Sequence, residues 1–128
     1  MKFGYTIVYV SSVTNTLNFY RSAFGFETRF LHESELYGEL STGETVLAFA
    51  THAMGEMNHD SGYQKSNIET LPLGIVLAFV TENISEAYTK ALLAGAVSIA
   101  EPCEKPWGQT VAYVRDNDGV IVELCSPM

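Results

Sequence analysis

The chain has 128 residues, of which 47% are hydrophobic and 17% charged, and this composition is typical of one globular domain with its own core. Fifteen acidic against seven basic residues give a formal net charge of −8, which argues against a nucleic-acid partner. The longest apolar run, residues 73–80, is too short to cross a bilayer, and no signal peptide is evident. Two cysteines without metal spacing predict reduced thiols in a cytoplasmic protein.

The first half of the sequence predicts a strand, a helix and three further strands. A β-branched run at residues 5–10 is followed by apolar residues at helical spacing, with Ser12 or Thr14 as the N-cap and Gly25 as the stop. Strand-like segments then follow at 27–33, 36–42 and 45–51, with a turn at 41–44. We interpret residues 1–51 as a β-α-β-β-β module.

The second half repeats this order. Its helix has Asn83 or Ser85 as the N-cap and Gly95 as the stop, and strands follow at 97–103, 109–115 and 120–126. Gly119 is expected to supply a positive φ in the turn before the last strand. Residues 73–128 therefore form a second module, and their two sheets can enclose a shared cleft.

Residues 52–72 form a polar linker without regular period, typical of a lid or a flexible connection. On a helix, His52, Glu56 and His59 would approach one another like a metal cluster. Gly55 and the polar surroundings argue against a stable helix, and no fourth ligand is evident. We therefore predict no metal site in the linker.

Glu123 stands out as a carboxylate in an apolar strand. Strand alternation places it on the face opposite to Val122 and Leu124, which we expect to pack on the helices. Glu123 then faces the cleft. Two interpretations stay open: a carboxylate that is solvated or paired with a lysine or arginine, or one that contacts a ligand directly.

Three segments carry a family resemblance, and they read "YTIVYVSSVTNTLNFYRSAFGFE", "IVLAFVTENISEAYTKALLAGAV" and "KPWGQTVAYVRDNDGVIVEL". They resemble the vicinal oxygen chelate superfamily, which includes glyoxalase I, bleomycin resistance proteins and extradiol dioxygenases. The resemblance implies an α+β fold in which two βαβββ modules form curved mixed sheets around a shared cleft. It also implies a homodimer.

Enzymes of this superfamily bind a divalent metal at four strand positions. The resemblance places these positions on Tyr5, Ala48, Ile75 and Glu123. Only Glu123 is an ordinary ligand for such a metal, Tyr5 would bind only as a phenolate, and the other two have no donor atom. We therefore expect no metal and no cofactor, and the sequence identifies no catalytic residue.

Several side chains are candidates for ligand contact. The register implied by the family places Tyr5 and Tyr9 in the cleft beside Ile75 and Leu77, although both phenols are also compatible with ordinary strand aromatics. Trp107 lies on a loop, where it would either stack on a planar or cationic ligand or anchor the loop. The full candidate set is Glu123, Tyr5, Tyr9, Ile75, Leu77, Ala48 and Trp107.

The leading hypothesis is a metal-independent protein of the bleomycin resistance type. It would sequester a cationic or aromatic small molecule in an apolar cleft and so confer antibiotic resistance. A second hypothesis is a glyoxalase I-like lyase or isomerase, or a dioxygenase, with a divalent metal. A third is an interaction module whose cleft serves as a dimerisation or partner groove. Neither nucleic acid nor membrane is expected as a partner.

Overall fold

The computed structural model describes all 128 residues and contains eight strands and three helices. In chain order these are β1 (Tyr5–Val10), α1 (Val13–Phe24), β2 (Thr28–Leu31), β3 (Tyr37–Leu40), β4 (Val46–Thr51), α2 (His52–Asn58), β5 (Val76–Val80), α3 (Ile84–Leu93), β6 (Val97–Glu104), β7 (Thr110–Arg115) and β8 (Ile121–Cys125). The predicted β-α-β-β-β order is confirmed in both halves. None of the three helices has the length and hydropathy needed to cross a membrane.

The two halves form sheets of identical topology. The first sheet has the strand order β1-β4-β3-β2, and the second has β5-β8-β7-β6. In each sheet the first and last strands of the module pair in parallel, and the remaining pairs are antiparallel. The repeat in the sequence is therefore a repeat of a mixed four-stranded sheet, as expected for the α+β fold.

The chain divides into two compact units. Unit 1 comprises Met1–Arg21 and Gly25–Lys65, and unit 2 comprises Ser22–Phe24 and Ser66–Met128. The division falls inside the predicted linker 52–72. Its first part, including α2, belongs to unit 1, and its second part belongs to unit 2.

In unit 1, α1 packs closely on the first sheet. Ser12 is the N-cap and its hydroxyl accepts from the Asn15 amide at 3.3 Å, while Gly25 ends the helix with φ of 78°. Gly38 makes the close approach possible, because a Cβ at this position would lie 2.8 Å from Cδ1 of Leu17. The face of the first sheet that carries Gly38 is therefore covered by α1, and we call the opposite face, against which α2 packs at Tyr9, its open face.

In unit 2, α3 begins at the predicted cap Asn83, whose side chain accepts from the Glu86 amide at 3.1 Å. Gly95 follows the helix with φ of 109°. The two N-caps, Ser12 and Asn83, are 71 residues apart, whereas Gly25 and Gly95 are 70 apart. The segment from the N-cap to the glycine is therefore one residue shorter in the second module.

The turn before β8 is fixed by a buried carboxylate. Asp116 is 1% exposed, and its Oδ1 accepts from the amides of Asp118 and Val120 at 2.9 Å each. Gly119 has the predicted positive φ, at 86°. This turn sets the register of β8 against β7 and therefore the position of Glu123.

The linker contains a helix, and the prediction against one is wrong. Thr51 caps α2 by accepting from the Met54 amide at 3.2 Å. Gly55 is buried because the ring of Tyr9 occupies the space beside it, and a Cβ there would lie 2.9 Å from two ring atoms. Packing of the helix on β1 therefore outweighs the low helix propensity of glycine.

Candidate ligand-binding site

Glu123 lies in the middle of β8 on the face of the second sheet away from α3. Val122 and Leu124 flank it along the strand and are 0% and 3% exposed, whereas Glu123 itself is half-buried. This is the alternation that the sequence predicts. We call the surface of the second sheet that carries Glu123 its open face, and its other members on β5, β7 and β8 are Val76, Ala78, Val80, Val111, Tyr113, Arg115, Ile121 and Cys125.

The partner of Glu123 is a phenol and not a cation. Tyr113 lies directly opposite on β7, and its hydroxyl donates to Glu123 Oε2 at 2.8 Å. The two ion pairs of the structure, Arg29–Glu39 and Lys65–Glu56, do not involve Glu123. The hydrogen bond to Glu123 and burial both raise the pKa of Tyr113, so the phenol remains a neutral donor at neutral pH.

Apolar and neutral groups are the other neighbours of Glu123 on β5 and β8, whereas Arg115 on the same face donates to the carbonyls of Gly119, Ile68 and Asn67. Ala78 is its partner on β5, and the thiol of Cys125 lies on the same face. Burial raises the pKa of Cys125, and the nearby charge of Glu123 adds to the effect, so the thiol stays protonated. Val76 and Val80 on β5 are 46% and 66% exposed. The site is thus one carboxylate within a largely apolar, accessible surface.

Two predicted residues of the second module are misplaced by one position. Leu77 pairs with Val122 and lies on the α3 side, so the prediction that it shares a surface with Glu123 is wrong. Ile75 precedes β5 and is 61% exposed. The cause is the shorter segment between the N-cap and the glycine in the second module, so the 70-residue spacing of the two glycines does not apply to the strands, and Val76 is the counterpart of Tyr5.

The predicted residues of the first module do share one face. Tyr5, Ile7 and Tyr9 pair with Val46, Ala48 and Ala50. Tyr5 is 58% exposed, so its side chain is accessible. Ala48, in contrast, is 0% exposed and has no accessible surface, so this structure leaves it no ligand contact.

Tyr9 is held by the segment that follows α2. Its ring centroid lies 5.0 Å from that of Tyr63, and its hydroxyl is 3.3 Å from His59 Nε2. The Tyr63 hydroxyl in turn lies 2.7 Å from His52 Nδ1. Burial, followed by the charge of Lys65, lowers the pKa of His52, so the ring in this hydrogen bond is neutral at neutral pH. Tyr9 therefore belongs to a packed aromatic cluster.

Trp107 is exposed but fixed. Its Nε1 donates to Gln109 Oε1 at 2.8 Å, and the Gln109 amide donates to the Ser126 carbonyl at 2.8 Å. The indole is 62% exposed. Both predicted roles are compatible with this geometry, because the loop is anchored and the ring face remains accessible.

The residues at the superfamily's metal positions do not fit a divalent ion. With the corrected register these positions are Tyr5, Ala48, Val76 and Glu123, and only Glu123 is an ordinary ligand. No group of three His, Cys, Asp or Glu side chains is arranged to hold a metal anywhere in the chain. His52 and His59 both contact tyrosine hydroxyls instead.

Sequence reasoning missed three side chains on the open faces. Tyr37 and Glu39, two residues apart in β3, share the open face of the first sheet, and period-two alternation predicts this arrangement. The role of Tyr113 is not indicated by local alternation. Its pairing with Glu123 depends on the turn register, which includes an additional residue beyond a two-residue hairpin.

Two βαβββ modules with the same mixed-sheet topology define the fold of the glyoxalase/bleomycin resistance/dioxygenase superfamily, the vicinal oxygen chelate fold. Within it, the chain belongs to the glyoxalase-like domain family, whose family model matches residues 3–128. The superfamily resemblance of the sequence is thereby confirmed. No significant match was found among curated proteins.

Solved structures support the fold at low sequence identity. A glyoxalase-related enzyme from Fulvimarina pelagi has a TM-score of 0.85 and 18% identity, and the match covers 99% of this chain and 88% of that one. A superfamily member from Burkholderia phytofirmans PsJN has a TM-score of 0.76 and 18% identity, and the match covers 100% of both chains. A superfamily member from Sphaerobacter thermophilus DSM 20745 has a TM-score of 0.74 and 21% identity, and the match covers 99% of this chain and 98% of that one. At these identities the likeness shows the fold alone.

Proposed function

We propose that this protein binds a small cationic or aromatic molecule on the open face of the second sheet, without a metal ion, and sequesters it. The observation that supports this proposal is the lone carboxylate of Glu123, oriented by the neutral phenol of Tyr113 and surrounded by accessible apolar side chains. Small-molecule sites commonly combine an apolar wall with a few polar groups that fix orientation.

The carboxylate keeps the capacity to bind a cation. An ionised carboxylate has about four acceptor positions, and Tyr113 occupies one of them on Oε2. Because the donor is neutral, it leaves the negative charge of Glu123 uncompensated. The net charge of −8 further favours the approach of cations to the chain.

Calorimetric titration tests the proposal with two probes, a bleomycin and benzamidine. The variant Glu123→Gln keeps the shape of the side chain and removes its charge, and we expect it to bind about tenfold more weakly or worse, as for loss of a charged hydrogen bond. Glu82→Gln is the matched control, because Glu82 is exposed in unit 2 and lies outside the open face. Equal affinity of the Glu123→Gln variant and wild type, or no binding of either probe, would contradict the proposal.

The superfamily also supports a second candidate, a glyoxalase-like lyase or isomerase, or a dioxygenase. Of the four metal-ligand positions of the superfamily, only that of Glu123 retains an ordinary ligand, and this observation favours the enzyme. Stoichiometric divalent metal in protein purified without an affinity tag, lost in Glu123→Ala, would support the enzyme. Absence of metal at any pH between about 6 and 8, where ligands are deprotonated, would count against it.

We also propose that the protein is a cytoplasmic homodimer. Such a dimer would confer antibiotic resistance if the molecule that it sequesters is an antibiotic. The exposed apolar residues of the second sheet support association, since Val80, Val97 and Ile99 are 66%, 49% and 48% exposed. Light scattering after size exclusion tests it. A monomeric mass at all accessible concentrations would contradict it, and Val80→Asp is expected to shift a dimer toward monomer.

A further inference from the structure

A β-bulge places an arginine on the open face of the first sheet. Thr28 pairs with Leu40 and Phe30 pairs with Glu39, so Arg29 is an additional residue between two regular pairs. Bulges redirect side chains and recur next to binding sites. Here the bulge brings Arg29 Nε to 3.6 Å from Glu39 Oε1.

Glu39 is fixed from its other side as well. The Tyr37 hydroxyl donates to Glu39 Oε2 at 2.7 Å. Glu39 is 14% exposed at its side chain, whereas Arg29 is 56% exposed. The carboxylate of Glu39 thus contacts the half-buried phenol of Tyr37 through Oε2 and the accessible guanidinium of Arg29 through Oε1.

Arg29 retains most of its donors. A guanidinium has five N–H groups, and Glu39 engages Nε, while neither Nη atom donates to any protein group. Arg115 shows the contrast, because its Nη atoms donate to the carbonyls of Ile68 and Asn67 at 3.3 and 2.9 Å. Arg115 is a structural residue, whereas the Nη groups of the exposed Arg29 remain available to a ligand.

Apolar surface adjoins this guanidinium. Phe30 is 45% exposed and shares a row of side chains with Glu39, Ala48 and Ile7 across the four strands. Ile7 is 49% exposed. A ligand that matches this row of side chains has a flat apolar body and a planar anionic group, since a carboxylate matches the paired N–H groups of a guanidinium.

We propose that the open face of the first sheet binds a small aromatic carboxylate, with Arg29 holding the carboxylate and Phe30 contacting the ring. This site differs from that of Glu123 in sheet, in unit and in the charge of its ligand. Either site is able to exist without the other, so their tests succeed or fail separately.

NMR of the full ¹⁵N-labelled chain tests this site with 2-naphthoate and its neutral analogue 2-naphthamide. We expect a saturable shift of the Arg29 Nε–H and Phe30 amide resonances with naphthoate, and at least about tenfold weaker binding of naphthamide, the effect of one charged hydrogen bond. Arg29→Gln should weaken naphthoate binding by a similar factor. Arg21→Gln is the control, since Arg21 is an exposed arginine of unit 1 on α1.

Three results would overturn the proposal. These are equal binding of naphthoate and naphthamide, equal naphthoate binding by the Arg29→Gln and Arg21→Gln variants, and no saturable shift up to about 10 mM ligand, where even millimolar sites fill. Arg29→Lys keeps the charge and lacks the planar guanidinium. If Arg29→Gln disturbs the bulge, Arg29→Lys still tests whether the guanidinium binds the carboxylate. We expect Arg29→Lys to bind naphthoate more weakly than wild type, and unchanged binding would contradict the proposed binding of the carboxylate by the guanidinium.

Discussion

Tyr113 and Glu123 are direct cross-strand partners on β7 and β8, and the phenol hydroxyl donates to the carboxylate at 2.8 Å. A lysine or arginine in place of Tyr113 would cancel the charge of Glu123. The phenol orients the carboxylate and leaves its charge available. This pair therefore separates two tasks, orientation by the neutral donor and attraction by the acid.

The variant Tyr113→Phe should separate these tasks by experiment. It removes the orienting hydrogen bond but keeps the charge, so we expect weaker benzamidine binding than in wild type, yet stronger than in Glu123→Gln. Loss of the bond should also lower the free energy of unfolding by about 1 kcal/mol. Tyr88→Phe is the matched control, since it removes an exposed 2.7 Å hydrogen bond to Ser98 in the same unit. Identical binding by the Tyr113→Phe variant and wild type would show that the phenol does not orient the carboxylate.

Tyr37 makes stability sensitive to alkaline pH. Burial, and then the bond to Glu39, raises the pKa of Tyr37 from 10.0 to about 12. The folded chain therefore retains a proton that the unfolded chain loses near pH 10, and this contribution to stability is complete below pH 10 and is lost as the pH rises toward 12. Absorbance titration at 295 nm should show one fewer late-ionising tyrosine in Tyr37→Phe. An unchanged titration curve would refute the assignment.

His52 makes stability sensitive to acid. Burial lowers the pKa of His52 from its ordinary 6.5, so the unfolded chain takes up a proton that the folded chain resists. The contribution of His52 is therefore present above about pH 6.5 and declines as the pH falls below this value. Urea unfolding between pH 5 and 8 should show a shallower acid loss in His52→Gln than in wild type. His32→Gln, at an exposed histidine of the same unit, should keep the wild-type slope, and the prediction fails if both variants behave alike.

Gly55 offers a test of helix packing against helix propensity. Propensity alone predicts that Gly55→Ala stabilises α2 by about 1 kcal/mol. Because the new Cβ would lie 2.9 Å from the Tyr9 ring, we expect a destabilisation of about 1–3 kcal/mol instead. Ala53→Gly, at an exposed position of the same helix, should cost about 1 kcal/mol from propensity. Chemical denaturation measures both, and a more stable Gly55→Ala variant would refute the packing argument.

The repeated modules, the caps and the face of Glu123 were predictable because they depend on local signals. Ser12 and Asn83 are short polar residues before apolar helices, and Glu123 is read directly from strand alternation. Such signals need only the neighbouring residues. The topology of each sheet then followed from the resemblance to a known fold.

The remaining errors have long-range causes. The helix α2 depends on the contact between Gly55 and Tyr9, which are 46 residues apart in the chain, and no local pattern indicates it. The cluster of Tyr63 with His52 and His59 likewise forms where the sequence lacks a period. The site partner Tyr113 required the exact turn register.

The one-residue offset between the modules also matters to anyone who would engineer this scaffold. A histidine introduced to rebuild the first-strand ligand of the second module belongs at Val76, because Val76 shares its face with Glu123. At Leu77 the imidazole would point toward α3 and disturb the core, and at Ile75 it would precede the strand. Grafting by sequence count from the first module would thus place the new ligand on the wrong residue.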